Sequence, residues 1–381
     1  MPSSLTAVQV VLTALGGAVL LAWLAVALRP SRFWDLRPVV EDVSPPPAPA
    51  SWPTVTALVP ARNEAARLGE SLPALMAQDY PGEWRIVLID DRSEDGTAEV
   101  ARGLTHDRAT IIEGGPLPDG WAGKVWALQQ GAAAAGRPDY LWLTDADIVH
   151  APGVLTRLVS ESEAAALAMN SVMARLSTGP PSERLLVPAF LFFFNLLYPM
   201  RLVNGTGPTA AAAGGCLLVR RDRLEQIGGF GVISGAVIDD IGLATLVKRL
   251  GAPIRLAVSR AEVVSIRRYD SLSAFWRTVR RTAFAELGHS WARLTATVVG
   301  LLLAFATPPV LLVVGAAGMQ ARLAALGLAA WVVMTLVYAP TVRFFGLRLT
   351  WALTLPLAGL LYGAMTVDSA LQHVAGRRRV W

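Results

Sequence analysis

Apolar residues follow two different rhythms along this chain. Residues 8–28 carry no charge over a length that suits a helix crossing a hydrocarbon core, about 20 residues for roughly 30 Å. Three more such runs follow His289, at 295–316, 323–340 and 349–367, with Arg322, Arg343 and Arg348 the only charges between them. These read as membrane helices, and Trp291, Trp331, Tyr338, Trp351 and Tyr362 include candidate interfacial anchors. Between the first run and the later ones the rhythm shortens. β-rich stretches at 54–59, 85–89 and 140–143 alternate with helix-like segments, which predicts an α/β domain with a largely parallel sheet. Ligands of such a sheet gather at the carboxyl ends of its strands. The run 185–203 fits neither rhythm: Phe190, Phe192, Phe193 and Phe194 stand between Arg184 and Arg201 and are interrupted by Pro188, Asn195 and Pro199. It is compatible equally with a buried core helix and with a helix lying at the bilayer surface.

The pattern divides the chain into an anchor (1–30), a proline-rich spacer (31–53), an α/β domain (54–290) and a C-terminal membrane domain (291–381) of about three helices. In the spacer, EDVSPPPAPASW can neither pair into a sheet nor continue a helix. Arg29, Arg32 and Arg37 behind the first run predict a retained anchor with its amino terminus outside, so that the α/β domain faces the cytoplasm, while the small pair Ala25 and Ala27 resembles a signal-peptide cleavage site, the alternative reading. Three later crossings would then leave Arg377, Arg378 and Arg379 outside. Either one segment is re-entrant, Pro308 and Pro309 marking the first of the three as the suspect, or the charge rule is broken.

Composition sharpens this picture. The 381 residues are 53% hydrophobic and only 17% charged, where soluble domains carry about a quarter charged residues, so disorder is excluded and the lipid bilayer is the expected partner. The net charge of +5 does not point to nucleic acid, because the basic residues flank apolar runs and no zinc-finger or RNA-binding motif accompanies them. A single cysteine, Cys216, forbids an intrachain disulfide and fits a reducing compartment. His106, His150, His289 and His373 show no metal-ligand spacing, which argues against zinc hydrolysis. The excess of arginine over lysine suggests a GC-rich bacterial genome, hence a bacterial inner membrane.

Candidate chemistry sits at the ends of the short apolar runs. LVPARNE (58–64) ends a strand and puts Asn63 and Glu64 at a helix opening, where an Asn cap is the plain alternative. IDDRSEDGT (89–97) ends the next strand in two carboxylates that could accept hydrogen bonds from a base or ribose, while Ser93 and Asp95 are equally good caps. LPDGWAGKVWAL (117–128) leads into a helix with Lys124 in its first turn. A cation there opposes the helix dipole, and an anion such as diphosphate would give it a reason; an exposed lysine is the alternative. LWLTDADIV (141–149) is the sharpest feature. Alternation along an extended chain would send Asp145 and Asp147 to one side, a site for a hard divalent ion with phosphate oxygens as further ligands, although a pair of turn aspartates reads the same way. Gly214 and Gly215 before Cys216 permit close backbone approach to a ligand, or form an ordinary bulge. Asp239 and Asp240 open a helix, where acids cap, or where one of them serves as general base.

In this order PARNE, DDRSEDGT, GWAGK, TDAD, GGCLLVRR and DDIGLATLVKRLG resemble the family 2 glycosyltransferases with a GT-A nucleotide-sugar-binding (Rossmann-like) fold, over residues 54–287. The anchor, the GWAGK loop and the closing TVDSALQH are most similar to the hopanoid-biosynthesis-associated glycosyltransferases, with ceramide glucosyltransferases more distant. The resemblance implies a mixed, largely parallel sheet and a nucleotide-sugar donor, of uridine type by family preference. Glu64 and Asp91 would contact the nucleoside, Pro60 and Arg62 would shape that pocket, and Lys124 would approach the diphosphate. Asp145 and Asp147 would hold sugar-diphosphate and Mg²⁺ or Mn²⁺, Asp147 being the surer metal ligand. Asp240 would be the catalytic base with Asp239 supporting it. Gly214, Gly215, Cys216, Arg280 and Arg281 would lie on the acceptor or phosphate side, the acceptor being a membrane lipid hydroxyl, hopanoid or sphingolipid-like. Processive relatives carry QxxRW, whereas the corresponding stretch here reads Thr278-Val279-Arg280-Arg281-Thr282, which argues against polymerisation. A polysaccharide synthase subunit and a non-catalytic membrane scaffold are the rival readings.

Overall fold

The computed structural model describes residues 2–105 and 107–376; His106, Arg377, Arg378 and Arg379, singled out above, lie outside the described residues. The chain forms two compact units. One holds residues 36–177 and 200–268; the other holds the residues up to 35, 178–199 and those from 269 to the end of the described chain. The helical unit therefore takes in 178–199 and 269–290, which the hydropathy pattern assigned to the α/β domain.

The α/β unit is built on strands β1 (Val55–Ala61), β2 (Trp84–Asp90), β3 (Ala109–Glu113), β4 (Tyr140–Thr144), β5 (Ile148–His150), β6 (Met169–Met173), β7 (Cys216–Arg220), β8 (Ile254–Val258) and β9 (Val263–Ser265). Seven form one sheet in the order β3-β2-β1-β4-β7-β6-β8, while β5 and β9 pair apart. The pairs β1–β2, β2–β3, β1–β4 and β6–β8 are parallel, and β7 runs antiparallel to both β4 and β6. Strands of a parallel sheet covered on both faces read as continuous apolar runs, and all seven residues of β1 are buried. Pro60 survives in this central strand because the β1–β4 register stops at Leu58↔Leu143, so beyond it no β4 carbonyl awaits an N–H. The sheet thus opens between β1 and β4 at their carboxyl ends, the crevice where ligands of open α/β sheets bind. The proline-rich spacer is docked rather than free: the Glu41 carboxylate accepts hydrogen bonds from Ser259 Oγ (2.7 Å) and from the backbone N–H groups of Arg260, Ala261 and Glu262 (2.7–3.0 Å). Burial opposes its ionisation, but these donors prevail and hold its pKa at about 2.

The helical unit comprises α1 (Pro2–Ala27), α2 (Pro181–Leu197), α3 (Leu272–Glu286), α4 (Trp291–Ala317), α5 (Ala321–Phe344), a 3₁₀ turn (Leu349–Thr354) and α6 (Leu355–Val374). Among the described residues four segments, Ala7–Ala27, Trp291–Ala317, Ala321–Phe344 and Leu349–Val374, are long and apolar enough to cross a membrane. Pro308 and Pro309 do not turn α4 back. A π-helical turn at Leu302–Ala306 carries the helix through them, and the Ala304 carbonyl, deprived of the Pro308 N–H, accepts the Trp23 indole N–H at 3.0 Å. Glycines let α4 and α5 touch: a Cβ on Gly327 would stand 2.5 Å from the Leu312 nitrogen. The phenylalanine-rich run forms α2, packed inside this unit. Phe192 meets Phe33 and Tyr338 at 5.2 Å, Phe193 meets Tyr362 at 5.0 Å, and the Tyr362 hydroxyl donates to the Leu186 carbonyl at 2.9 Å.

Candidate active site

The acidic motifs meet at the open edge of the sheet because β1, β2 and β4 end there side by side. After β1 the chain turns through Asn63, whose backbone is left-handed (φ 55°). Asn63 does not cap the following helix. Its N–H donates to Ser93 Oγ (2.9 Å), and its side-chain oxygen accepts the Glu94 N–H (2.8 Å). Asp95 Oδ2 accepts the Ala65 N–H at 3.1 Å and Thr97 Oγ1 accepts that of Glu64 at 2.9 Å, so the SEDGT turn caps a helix belonging to the neighbouring loop. Clamped this way, Arg62 and Glu64 are held at the strand ends beside Asp91. Asp91 is fully buried, its N–H bonded to the Ala61 carbonyl (2.8 Å) and its carboxylate 3.5 Å from Arg62 Nη1.

Lys124 opens the helix Gly123–Ala134, and its ammonium lies 2.7 Å from Asp145 Oδ1 and 3.6 Å from Asp239 Oδ2. Burial works against the charged amine, but Asp145, Asp239 and Asp240 outweigh it and hold the pKa above the usual lysine range. These carboxylates are the reason for a cation in the first turn. Antiparallel pairing of Thr144 with Cys216 brings Gly214 and Gly215 alongside. The Gly214 N–H donates to Asp240 Oδ2 at 2.8 Å, and a Cβ on Gly214 would stand 3.0 Å from Lys124 Nζ and 3.3 Å from that same oxygen. A side chain there would crowd both charged tips. Asp240 begins the helix Asp239–Arg249; burial first and the adjacent Asp239 second raise its pKa to about 6, against the pull of Lys124 and the Gly214 N–H.

The two aspartates of the TDAD motif are not displayed by strand alternation. β4 stops at Thr144, and residues 145–148 close a turn in which the Ile148 N–H donates to the Asp145 carbonyl at 3.1 Å. The carboxylates consequently take different partners. Asp147 Oδ2 accepts Ser265 Oγ (3.0 Å) and Arg267 Nε (2.9 Å), while Arg267 Nη2 donates to Glu64 Oε1 (2.5 Å). Burial would lower the Arg267 pKa, but Asp147 and Glu64 raise it above the ordinary guanidinium value. Arg267 and Ser265 join the candidate site although the sequence did not reveal them. The pairing of Ile148 with Ser265 places them there, and the only local signal is a short β-run ending in Ser-Ile-Arg-Arg.

One further expectation changes, and two other residues take their places in the helical unit. Cys216, expected on the acceptor or phosphate side, is fully buried in the apolar core that also holds Trp142 and Leu218 of the sheet, with strand alternation setting it on the face of Leu218; burial pushes its thiol up to about 12. Arg280 and Arg281 belong to α3 of the helical unit, where Arg280 Nη1 lies 3.4 Å from Asp368 Oδ2.

As ligands for Mg²⁺ or Mn²⁺, Asp145 and Asp147 offer hard oxygens of suitable chemistry, one turn apart. Each is already engaged by a cationic side chain, and among the described residues no group of three His, Cys, Asp or Glu is arranged to hold a metal. A divalent ion there would draw the rest of its shell from water and phosphate oxygens.

Among known proteins, an N-acetylglucosaminyltransferase of Mesorhizobium japonicum is 32% identical over 139 residues, which is 36% of this chain and 32% of that protein. A 4,4'-diaponeurosporenoate glycosyltransferase of Staphylococcus aureus is 36% identical over 83 residues, 22% of this chain and 21% of that protein. The chain thus spans about a third or less of the length of these curated relatives. The solved structure of the mannosyltransferase PcManGT from Pyrobaculum calidifontis, in complex with GDP-Man and Mn²⁺, superposes with a TM-score of 0.58 at 21% identity, covering 96% of this chain and 99% of that one, which shows a shared GT-A-like fold. The profile of Glycosyl transferase family 2 matches residues 56–228, the stretch that runs from β1 through the Lys124 helix, the Asp145 turn and Gly214. That stretch of the chain is a Glycosyl transferase family 2 domain.

Proposed function

We propose that the protein transfers a sugar from a nucleotide-diphosphate sugar, UDP-linked, to a hydroxyl of a membrane lipid, with inversion at the anomeric carbon and dependence on Mg²⁺ or Mn²⁺. A polycyclic lipid of hopanoid type or a sphingolipid-like alcohol is the proposed acceptor, and the bacterial inner membrane, with the α/β unit in the cytoplasm, is the proposed location. The supporting observation is the Lys124 ammonium set between Asp145 and Asp239, with the Gly214 N–H fixing Asp240 beside it.

In this reading Asp91, Arg62 and Glu64 line the nucleoside end of the crevice and Lys124 faces the diphosphate. Asp147 and Asp145 would hold the divalent ion, which when bound supplies positive charge to the diphosphate oxygens. Asp240 accepts the proton of the acceptor hydroxyl as its oxygen bonds to the anomeric carbon; the bond from that carbon to the diphosphate breaks and its electron pair leaves with the nucleotide. A carboxylate with a pKa raised to about 6 suits this task, being ionised at neutral pH yet basic enough to take a proton. The Lys124 charge and the Gly214 N–H stand beside the atoms where charge changes.

The test is a donor screen by thermal shift with and without Mn²⁺, followed by mass analysis of lipid products for the best donor, with Asp240→Asn beside the wild type. The proposal expects a metal-dependent shift with one donor, one hexose added per lipid, and an Asp240→Asn protein that binds donor but loses transfer. Near-normal turnover in Asp240→Asn rejects the base. A longer glycan product would replace the proposal with polymerisation.

A further inference from the structure

We infer that the last apolar segment, Leu349–Val374, is a re-entrant hairpin that enters and leaves the bilayer through one face, its mouth resting on lipid phosphates of that leaflet. The inference rests on the membrane residence proposed above and on side-chain register within the helical unit.

α4 and α5 are antiparallel neighbours joined through residues 318–320, so α4 begins and α5 ends at the same end of the unit, called the near end here. α6 runs against α4. A Cβ on Gly359 would press on the Phe305 ring (2.6 Å) and one on Gly363 would meet Leu301 (3.5 Å), while His373 stacks on His289 with ring centroids 4.2 Å apart. α6 therefore finishes where α4 starts, at the near end. The chain also arrives from the near end, since it leaves α5 at Phe344. On the way it goes only part of the depth: the Leu353 carbonyl accepts the Trp331 indole N–H at 3.2 Å, about 20 Å from the end of α5 at 1.5 Å per residue. By the same register the first turn of α6 is level with Pro309, about 12 Å short of the far end of α4 at Ala317.

The polar residues of α6 agree. Trp23, close to the end of α1, bonds to Ala304, so hydrocarbon begins near residue 300 of α4 and the part of α6 beyond Gly363 lies outside it. Asp368 is there, accepting hydrogen bonds from Trp276 Nε1 (2.7 Å) and Arg280 Nη1 (3.4 Å) of α3, a helix that also carries Arg277 and Arg281. Charges of this kind belong at an interface rather than among acyl chains. Three crossings, by α1, α4 and α5, then bring both ends of the last segment to the side of Arg29, Arg32 and Arg343, with Arg322 at the far end. The charge rule is restored, and the re-entrant element is the last apolar segment, not the one containing Pro308.

The mouth of the hairpin is cationic. A cavity of about 680 Å³ opens there, lined by Thr178, Arg184, Arg348, Thr350 and Trp351 among others. Among the described residues neither Arg184 nor Arg348 has a carboxylate partner, and both are exposed. Two guanidinium groups with neighbouring hydroxyls and an interfacial indole suit a phosphate monoester or diester, and at the near face the abundant source is the lipid headgroup.

Topology is read with single cysteines, since Cys216 is the only native one and is buried. Met319 is 92% exposed at the far end and Val374 is 68% exposed at the near end. A membrane-impermeant maleimide applied to spheroplasts and to inverted vesicles is expected to label Met319→Cys and Val374→Cys from opposite sides. Labelling of both from the same side overturns the hairpin, because a crossing segment would return Val374 to the side of Met319. A cysteine appended after Trp381 gives the same reading if lipid shields Val374. Recovery of the chain in the soluble fraction would refute membrane residence itself, a different outcome. For the mouth, the full chain in phosphatidylcholine nanodiscs containing phosphatidylglycerol is compared with its Arg184→Gln/Arg348→Gln variant by native mass spectrometry. The variant is expected to retain phosphatidylglycerol at least about tenfold less. Equal retention, or displacement of the lipid by millimolar inorganic phosphate, overturns the lipid assignment.

Discussion

Gly214→Ala separates folding from catalysis more cleanly than any change to a charged residue. The added methyl would stand 3.0 Å from Lys124 Nζ and 3.3 Å from Asp240 Oδ2, where ordinary contact is 3.4 Å or more. Both atoms are the tips of side chains, so the backbone need not move, and the cost to folding stays within about 1 kcal/mol. The cost to the site is larger. Relief requires the ammonium to retreat by roughly 0.5 Å, which lengthens its 2.7 Å bond to Asp145 toward the limit of an N–H···O hydrogen bond near 3.2 Å. In the proposed reaction the same retreat draws the ammonium away from the diphosphate on which charge develops, and weakening that charge-assisted contact by about 1.5–3 kcal/mol is roughly a 10- to 150-fold fall in kcat at 1.4 kcal/mol per decade. Thermal denaturation in detergent should be nearly unchanged while steady-state transfer to lipid falls within that range. Wild-type turnover in a folded Gly214→Ala protein would refute the claim that Lys124 and Asp240 act from these positions.

The remaining predictions concern charge and packing. With Asp240 as the proposed base, transfer should rise with pH through about 6; Asp239→Asn removes a neighbouring negative charge, eases ionisation and should move that limb down by about one unit in kcat/KM profiles. Arg267→Gln leaves Asp147 and Glu64 without their shared cation and should lower stability by about 2–4 kcal/mol in chelator, with Mn²⁺ restoring more of the melting temperature than it adds to the wild type; no difference in the Mn²⁺ response counts against a metal at Asp147. Gly327→Ala drives a methyl into the Leu312 backbone and should cost about 1–3 kcal/mol, seen as a lower melting temperature in detergent.

Much of this arrangement is written locally. β1, β2 and β4 are legible because a strand buried on both faces leaves an uninterrupted apolar run, and the acidic motifs are legible because each begins where such a run ends. What is not legible depends on pairing between distant segments. Arg267 reaches Asp147 only because Ser265 lies opposite Ile148, and nothing near Arg267 announces that register. Cys216 looks like a neighbour of the ligand from its two glycines, yet one residue of strand alternation turns it into the core. The phenylalanine run stayed ambiguous because its partners, Phe33, Tyr338 and Tyr362, come from three other parts of the chain.

The same long-range pairing explains how a hollow so rich in carboxylates holds together. Asp145, Asp147, Asp239, Asp240 and Glu64 converge where a diphosphate is proposed to bind, and unpaired they would repel one another and any phosphate alike. Lys124 answers Asp145 and Asp239, and Arg267 answers Asp147 and Glu64, so each of the two cations is shared by a pair of carboxylates and offsets part of their charge. Binding of the proposed nucleotide sugar with its divalent ion would then be an exchange of partners rather than a simple addition of charge. Affinity is set by the difference between the carboxylate–cation pairs given up and the phosphate–cation pairs gained, which is smaller than either. On the proposed mechanism a donor would be held firmly enough to react and its nucleotide released afterwards, because the carboxylates that let go would have Lys124 and Arg267 waiting to close on them again.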